Sequence, residues 1–144
     1  GGWFSLVFAS IFFGLAPWSN KNMTVIVAVA IALEAGILLG ACYLLTRRLW
    51  LAIGVHVAWN FVQGGIFGSD ISGTGSGRGL IEARFTGPDL LTGGVMGIEA
   101  SVVAVVLCTA AGLAMLLAVC RRGLVVPPRW RRPPQAALDG TQSA

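Results

Sequence analysis

Charged residues are nearly absent from four long stretches of the chain. These apolar stretches cover residues 3–17, 24–45, 49–68 and 95–119. The last three reach the roughly 20 residues that an α-helix needs to cross a hydrocarbon core about 30 Å thick, whereas the first is short. The pattern predicts an all-α fold, a polytopic transmembrane bundle of about four helices within residues 1–123.

Composition supports a membrane protein rather than a soluble domain. The 144 residues are 56% hydrophobic and only 11% charged, whereas charged residues make up about 25% of a typical soluble domain. After Gly123 the sequence contains paired prolines and no apolar period, which predicts a disordered tail over residues 124–144. The chain opens with two glycines rather than Met, so we expect upstream sequence to be missing.

The basic residues lie where the positive-inside rule would place them on the cytoplasmic side. Arg47 and Arg48 separate the second and third apolar stretches, and five further arginines follow the fourth. We therefore expect both termini to be cytoplasmic and the loop over residues 69–94 to be external. Its glycine- and serine-rich part, GSDISGTGSGRG at residues 68–79, is predicted to be flexible. The arginines fit contact with an anionic lipid bilayer, so they are no argument for nucleic-acid binding.

Polar side chains inside the apolar stretches are the candidates for chemistry. Glu34 lies in the second stretch, and His56 lies in the third with Asn60 and Gln63 at positions i+4 and i+7. This spacing predicts one polar helix face, which must point into protein or water because ionisable groups are costly in lipid. An imidazole and an amide on one face can bind a metal, hold a water or stabilise an oxyanion. Alternatively, the face only hydrogen-bonds neighbouring helices.

Small residues recur every fourth position in the second stretch, at Ala28, Ala32, Gly36 and Gly40. Such a stripe allows close helix approach, and we interpret it as ordinary packing rather than as a dimer motif. Glu34 lies nearly opposite the stripe, so we interpret it as a buried residue of unknown partner. Glu99 is expected to be an interfacial carboxylate near a helix N-terminus.

Two segments resemble the CPBP family of intramembrane proteases, which process CAAX proteins and bacteriocins. LWLAIGVHVAWNFVQGGIFG, at residues 49–68, resembles the last family motif, H-x-x-x-N, and FFGLAPWSN, at residues 12–20, resembles the F-x-x-x-H segment. TGPDLLTGGVMGIEAS, at residues 86–101, resembles the junction between the outer loop and the last helix. The resemblance spans roughly residues 5–119.

The resemblance implies the C-terminal half of an eight-helix protease in a bacterial plasma membrane. It implies cleavage of lipidated or hydrophobic peptides, with His56 and Asn60 as catalytic residues that stabilise the oxyanion. His56 could also be a metal ligand, for instance of zinc, if the other ligands lie upstream. In this family a glutamate of an E-E-x-x-x-R motif activates water.

Two departures from the family pattern weaken the expectation of activity. The chain contains no E-E-x-x-x-R, whose helix would precede Gly1, and Pro17 stands where F-x-x-x-H, starting at Phe13, would have its histidine. Proline has no side-chain donor, acceptor or metal-binding atom. Without a base, the chain loses a step that contributes about 10² to 10⁴-fold, so we expect no peptidase activity from the chain as written.

Three functions therefore remain open from the sequence. The first is the C-terminal part of an intramembrane endopeptidase, indicated by His56 and Asn60. The second is a non-catalytic relative that binds or protects a membrane partner, as immunity-type members do, indicated by Pro17. The third is a fragment of a transporter or channel, indicated only by Glu34 and the polar face. Transporters more often contain internal repeats, and this sequence contains none.

Overall fold

The computed structural model describes residues 1–73 and 78–131. Within these residues the chain forms helices and no β-strand, which confirms the predicted all-α fold. The helices are α1 (Gly2–Leu15), α2 (Val25–Thr46), α3 (Leu49–Ile66), the single turn α4 (Asp89–Thr92) and α5 (Val102–Arg121).

Three of the helices, α2, α3 and α5, are long and apolar enough to cross a membrane. Helix α1 is equally apolar but has only 14 residues. Large apolar side chains such as Phe8, Ile26 and Trp50 are exposed on the helix surfaces, where a bilayer would cover them. The chain is therefore an integral membrane protein, and its orientation stays a prediction.

Helix α2 is the central element of the bundle. Its second half packs against α5 and α3, and its middle packs against α1. A Cβ atom added at Gly36 would lie 2.3 Å from the Cα atom of Ser10 on α1, so this close approach requires glycine. The small-residue stripe therefore serves packing within the chain. The core beneath it consists of Leu6, Ala41, Leu44, Leu116 and Val119.

Two helices contain π-helical segments, which sequence periodicity did not predict. One spans Ala32–Gly36 in the middle of α2, and the other spans Phe61–Ile66 at the end of α3. A π-helix closes its hydrogen bonds from i to i+5 and therefore rotates the residues beyond it relative to an α-helix. Helix α2 ends at Thr46, and the next residue, Arg47, has a left-handed φ of 56° that turns the chain into α3.

The last helix begins later than predicted. Residues 95–101 were expected to be helical, but they form the short 3₁₀ turns Gly94–Met96 and Ile98–Ala100. The physical reason is a cluster of glycines with positive φ, including Gly97 at 89°. Helix α5 then starts after Ser101, whose side chain accepts a hydrogen bond from the backbone N–H of Ala104.

The loop after α3 folds back onto the end of that helix. The backbone N–H groups of Leu80 and Ile81 donate to the carbonyls of Gly65 and Ile66 over 2.9 and 2.7 Å. Residues 74–77 of the segment that we predicted to be flexible lie outside the described residues. The described part of the loop therefore covers one end of α3.

The segment after α5 returns to the start of α1. The N–H of Gly2 donates to the carbonyl of Val126 over 2.9 Å, and the rings of Phe4 and Trp130 meet edge to face with centroids 5.6 Å apart. Residues 124–131 of the predicted disordered tail thus have defined contacts. Residues 132–144 lie outside the described part of the chain.

Candidate functional site

His56 and Asn60 lie one turn apart in α3 and contact each other, as their spacing predicts. Asn60 Nδ2 is 3.0 Å from His56 Nε2. With the amide placed this way its nitrogen donates to Nε2, which requires the imidazole tautomer that carries its proton on Nδ1. The ring of Phe13 on α1 lies against the imidazole, with centroids 5.7 Å apart and planes tilted by 43°. The histidine is therefore oriented by one polar and one aromatic neighbour.

This pair borders a cavity of about 260 Å³ between α1, α2 and α3. We call it the polar cavity because two carboxyl groups, an imidazole, an amide and a hydroxyl line it. Those groups belong to Glu34, Glu99, His56, Asn60 and Ser72.

Residue 17 also lines the polar cavity, together with Ala16. In the F-x-x-x-H pattern a histidine stands at this position, and position 17 lines the same cavity as His56. Pro17 offers only apolar ring atoms at this wall. The local consequence is a cavity in which α1 contributes no polar side chain.

A second cavity of about 390 Å³ lies on the other side of His56. We call it the apolar cavity because its wall is almost entirely hydrocarbon, with contributions from Ala9, Leu44 and Ile53. Phe13, Leu39 and His56 border both cavities. The histidine therefore lies at the boundary between a polar and an apolar compartment.

Glu34 and Glu99 are both buried, at 5% and 6% exposure. Glu34 lies in the π-helical segment of α2, away from the stripe that packs on α1, and reaches the polar cavity. Glu99 was expected to be an interfacial carboxylate near a helix N-terminus; it lies two residues before Ser101, the N-cap of α5, and its side chain is buried in the protein. There Ser72 Oγ donates to Glu99 Oε1. Burial raises the pKa of Glu99, and the hydrogen bonds from Ser72 and Gln63 oppose the rise.

Gln63 does not join His56 and Asn60 at the polar cavity, contrary to the predicted polar face. Its Nε2 donates to the carbonyl of Asp70, and its side chain also contacts Glu99. The π-helical segment begins at Phe61, so the i+7 residue no longer follows α-helical periodicity. Gln63 instead fastens the loop to α3.

Sequence reasoning missed the loop residues that close the polar cavity. Ile71 and Ser72 line it, and Asn20 in the turn after α1 donates its side-chain N–H to the carbonyl of Ser72. These residues are distant in sequence and belong to segments without periodicity. No local signal could have placed them beside His56.

The residues at the polar cavity do not fit a catalytic zinc site. Such a site uses three protein ligands and an open position. Within residues 1–73 and 78–131, no three His, Cys, Asp or Glu side chains lie together closely enough to hold a metal ion. The three cysteines are free, and of these only Cys108 borders the cavity. We therefore derive no chemistry through a metal.

Comparison with known proteins supports the resemblance. Residues 1–62 match a family model described as type II CAAX prenyl endopeptidase Rce1-like. The matched segment contains Phe13, Pro17, His56 and Asn60, and it confirms the resemblance to CPBP-type proteases. The search of curated proteins found no match, and the search of solved structures found none either.

Proposed function

We propose that this chain, whose residues 1–62 match a family model described as type II CAAX prenyl endopeptidase Rce1-like, binds lipidated or hydrophobic peptides as the C-terminal part of an intramembrane endopeptidase. The observation that carries the proposal is the position of His56 between the apolar and polar cavities. A lipidated peptide has the same division, with a hydrocarbon chain next to polar peptide groups.

The apolar cavity supplies the driving force for binding in this proposal. Removing apolar surface from water contributes roughly 25 cal/mol per Å². A prenyl or other hydrocarbon group in the space lined by Leu44, Ala52 and Ile53 would place the adjoining peptide near His56. In the apolar cavity, the fit of the hydrocarbon group rather than a specific hydrogen bond would select the substrate.

His56 and Asn60 supply the polar contacts. Asn60 has one further amide hydrogen beyond its contact with His56 Nε2. Donors of this kind stabilise charge that develops on a carbonyl oxygen, at about 10² to 10³-fold in rate for each donor. In an endopeptidase they would act on the scissile carbonyl.

We also propose that the chain by itself does not hydrolyse peptides. Pro17 leaves the α1 wall without a polar group, and the E-E-x-x-x-R that provides the base in the family is absent from these residues. The second candidate function, a non-catalytic relative that binds a membrane partner, is favoured by the same residue.

The test uses the purified chain in detergent with a farnesylated fluorescent peptide. We expect saturable binding, at least about tenfold weaker for His56→Leu than for a matched surface change, Leu107→Ala on α5. We expect no hydrolysis. Equal binding by the His56→Leu and Leu107→Ala proteins would refute the assigned site.

Pro17→His separates the two candidate functions. A gain of hydrolysis in this variant, lost again when His56 is also changed, would identify an impaired endopeptidase. Undiminished peptide binding without any gain would identify a binding relative. Hydrolysis by the unmodified chain would contradict the proposed inactivity.

A further inference from the structure

Glu34 carries a buried carboxyl oxygen that nothing in the described chain satisfies. The residue is 5% exposed, lines the polar cavity, and its Oε2 has no hydrogen-bond partner among the described residues. A carboxylate buried without a partner is costly in protein and still more costly within a membrane. A partner that enters the cavity would remove that cost.

Glu99 adds a second carboxyl group to the same wall. Ser72 Oγ donates to its Oε1, so its hydrogen bonding is largely internal. The charges of Glu34 and Glu99 interact unfavourably with each other. Neither Lys nor Arg contributes to the described lining of the cavity. A cation that enters this space would offset the repulsion between the two carboxyl groups when both are ionised.

The lining indicates which kind of cation fits. No three of the described His, Cys, Asp and Glu side chains could share a metal ion. Instead, the aromatic side chains of Phe13 and Trp59 line the cavity beside the acids, and aromatic rings attract organic cations through their faces. The volume of about 260 Å³ is below the roughly 300 Å³ at which pockets for drug-sized ligands begin, which suits a small group.

We propose that the polar cavity binds a primary ammonium group, held between the carboxyl groups of Glu34 and Glu99 and against the rings of Phe13 and Trp59. The group could be a lysine side chain of a bound peptide or the amino headgroup of a lipid, because both present the same chemistry. The proposal concerns binding alone, and it stands whether or not the chain binds farnesylated peptides.

The first experiment measures the melting temperature of the full chain in a non-ionic detergent, by tryptophan fluorescence, against n-butylammonium chloride. A ligand that binds only the folded state raises the melting temperature in a saturable way. We expect n-butylammonium to raise the melting temperature of the unmodified protein. We expect no such rise with n-butanol, or with sodium chloride at equal ionic strength. Glu34→Gln should weaken the apparent affinity by about 10- to 100-fold, as expected for a lost charge-assisted bond.

The control variant is Glu82→Gln, which removes the same charge from an exposed loop residue outside the cavity. It should keep the full response to the amine. Because Gln is isosteric with Glu and carries no charge, the ligand-free Glu34→Gln protein should melt no lower than the unmodified one. A folded Glu34→Gln protein that responds like Glu82→Gln would overturn the proposal, as would an unmodified protein that responds equally to n-butanol or not at all.

A second arm distinguishes the two sources of the ammonium group. Nα-acetyl-lysine amide is tested in detergent, and phosphatidylethanolamine is tested in nanodiscs of phosphatidylcholine. A stabilisation that depends on Glu34 with the first probe assigns a peptide side chain, and one with the second assigns a lipid headgroup. If n-butylammonium stabilises the protein but neither Nα-acetyl-lysine amide nor phosphatidylethanolamine does, a primary ammonium on a peptide or lipid is ruled out as the ligand.

Discussion

The two cavities on either side of His56 share three wall residues but differ in what they need. The apolar cavity, about 390 Å³ in volume, is lined almost entirely by hydrocarbon, and none of its described lining residues has a buried side-chain polar atom that lacks a hydrogen-bond partner. The polar cavity, about 260 Å³, contains two buried carboxyl groups, one of which lacks a partner within the described chain. An empty apolar cavity leaves no polar group unpaired. The polar cavity, in contrast, leaves a buried carboxyl oxygen unpaired, which lowers stability unless a ligand supplies a partner.

The two carboxyl groups repeat this contrast on a smaller scale. Glu99 belongs to the loop and receives a hydrogen bond from Ser72, so its surroundings stabilise it. Glu34 belongs to a membrane-spanning helix, lines the polar cavity, and has a buried carboxyl oxygen without a hydrogen-bond partner among the described residues. Buried polar groups that are not satisfied internally are where stability is given up for function. We therefore assign the larger share of ammonium binding to Glu34, whereas Glu99 faces the same ligand and is also held by Ser72.

The largest expected effect comes from a change that separates α1 from α2 and so disturbs both cavities. Gly36→Ala places a Cβ atom 2.3 Å from Ser10 Cα, so α1 must move away from α2. Overpacking of this kind costs about 1–3 kcal/mol and sometimes more. The free energy of unfolding in detergent, measured by denaturant titration, should fall by that amount. Binding of both farnesylated peptide and n-butylammonium should weaken.

Gly54→Ala is the matched control, because a Cβ atom there meets nothing within 4 Å. Ala is favoured over Gly inside a helix by up to about 1 kcal/mol, so this variant should be at least as stable as the unmodified protein. An equal fall in the free energy of unfolding for the two variants would contradict the close contact between α1 and α2 at Gly36.

A filled apolar cavity should separate the two binding activities. Ala52→Trp introduces an indole into that cavity, whereas Ala110→Trp places one on the exposed face of α5. We expect Ala52→Trp to weaken farnesylated-peptide binding by about 10- to 100-fold, which corresponds to about 1.4–2.8 kcal/mol. The response to n-butylammonium should stay, because Ala52 does not border the polar cavity. Loss of both activities in Ala52→Trp would mean that the cavities function as one.

Much of the fold could be predicted from the sequence, because burial of apolar stretches is a property of each segment. Helices α2 and α3 begin and end within two residues of the predicted bounds. The contact between His56 and Asn60 followed from α-helical periodicity. The start of α5 and the position of Gln63 did not, because positive-φ glycines and a π-helical segment break that periodicity. The contact between Ser72 and Glu99 depends on how a loop folds, so helical periodicity could not predict it.

The pH dependence of stability should identify Glu99 as a structural acid. Its pKa is raised above the ordinary 4.5 by burial, so the folded state holds this proton after the unfolded state has lost it. Stability should therefore fall as pH rises from about 4.5 through the raised pKa, by about 1.4 kcal/mol for each pH unit that separates the two pKa values. Glu99→Gln should remove this part of the slope when melting temperatures are compared across pH. An identical slope in both proteins would contradict the burial argument.

The smallest effect tests what Ser72 does for Glu99. Its hydroxyl donates to Glu99 Oε1, and such a bond contributes about 1 kcal/mol more to a carboxylate than to a neutral group. A double-mutant cycle with Ser72→Ala and Glu99→Gln isolates this coupling and cancels the strain of the left-handed φ at residue 72, which is present in every variant.

The coupling should be about 1 kcal/mol above the raised pKa of Glu99 and should approach zero at low pH, where the carboxyl group is protonated. A coupling that persists unchanged at low pH would mean that the Ser72 hydroxyl supports the loop rather than the charge of Glu99. In that case Gln63 would be the remaining side-chain donor to ionised Glu99. The contrast between Glu34 and Glu99 would then depend on Gln63 rather than on Ser72.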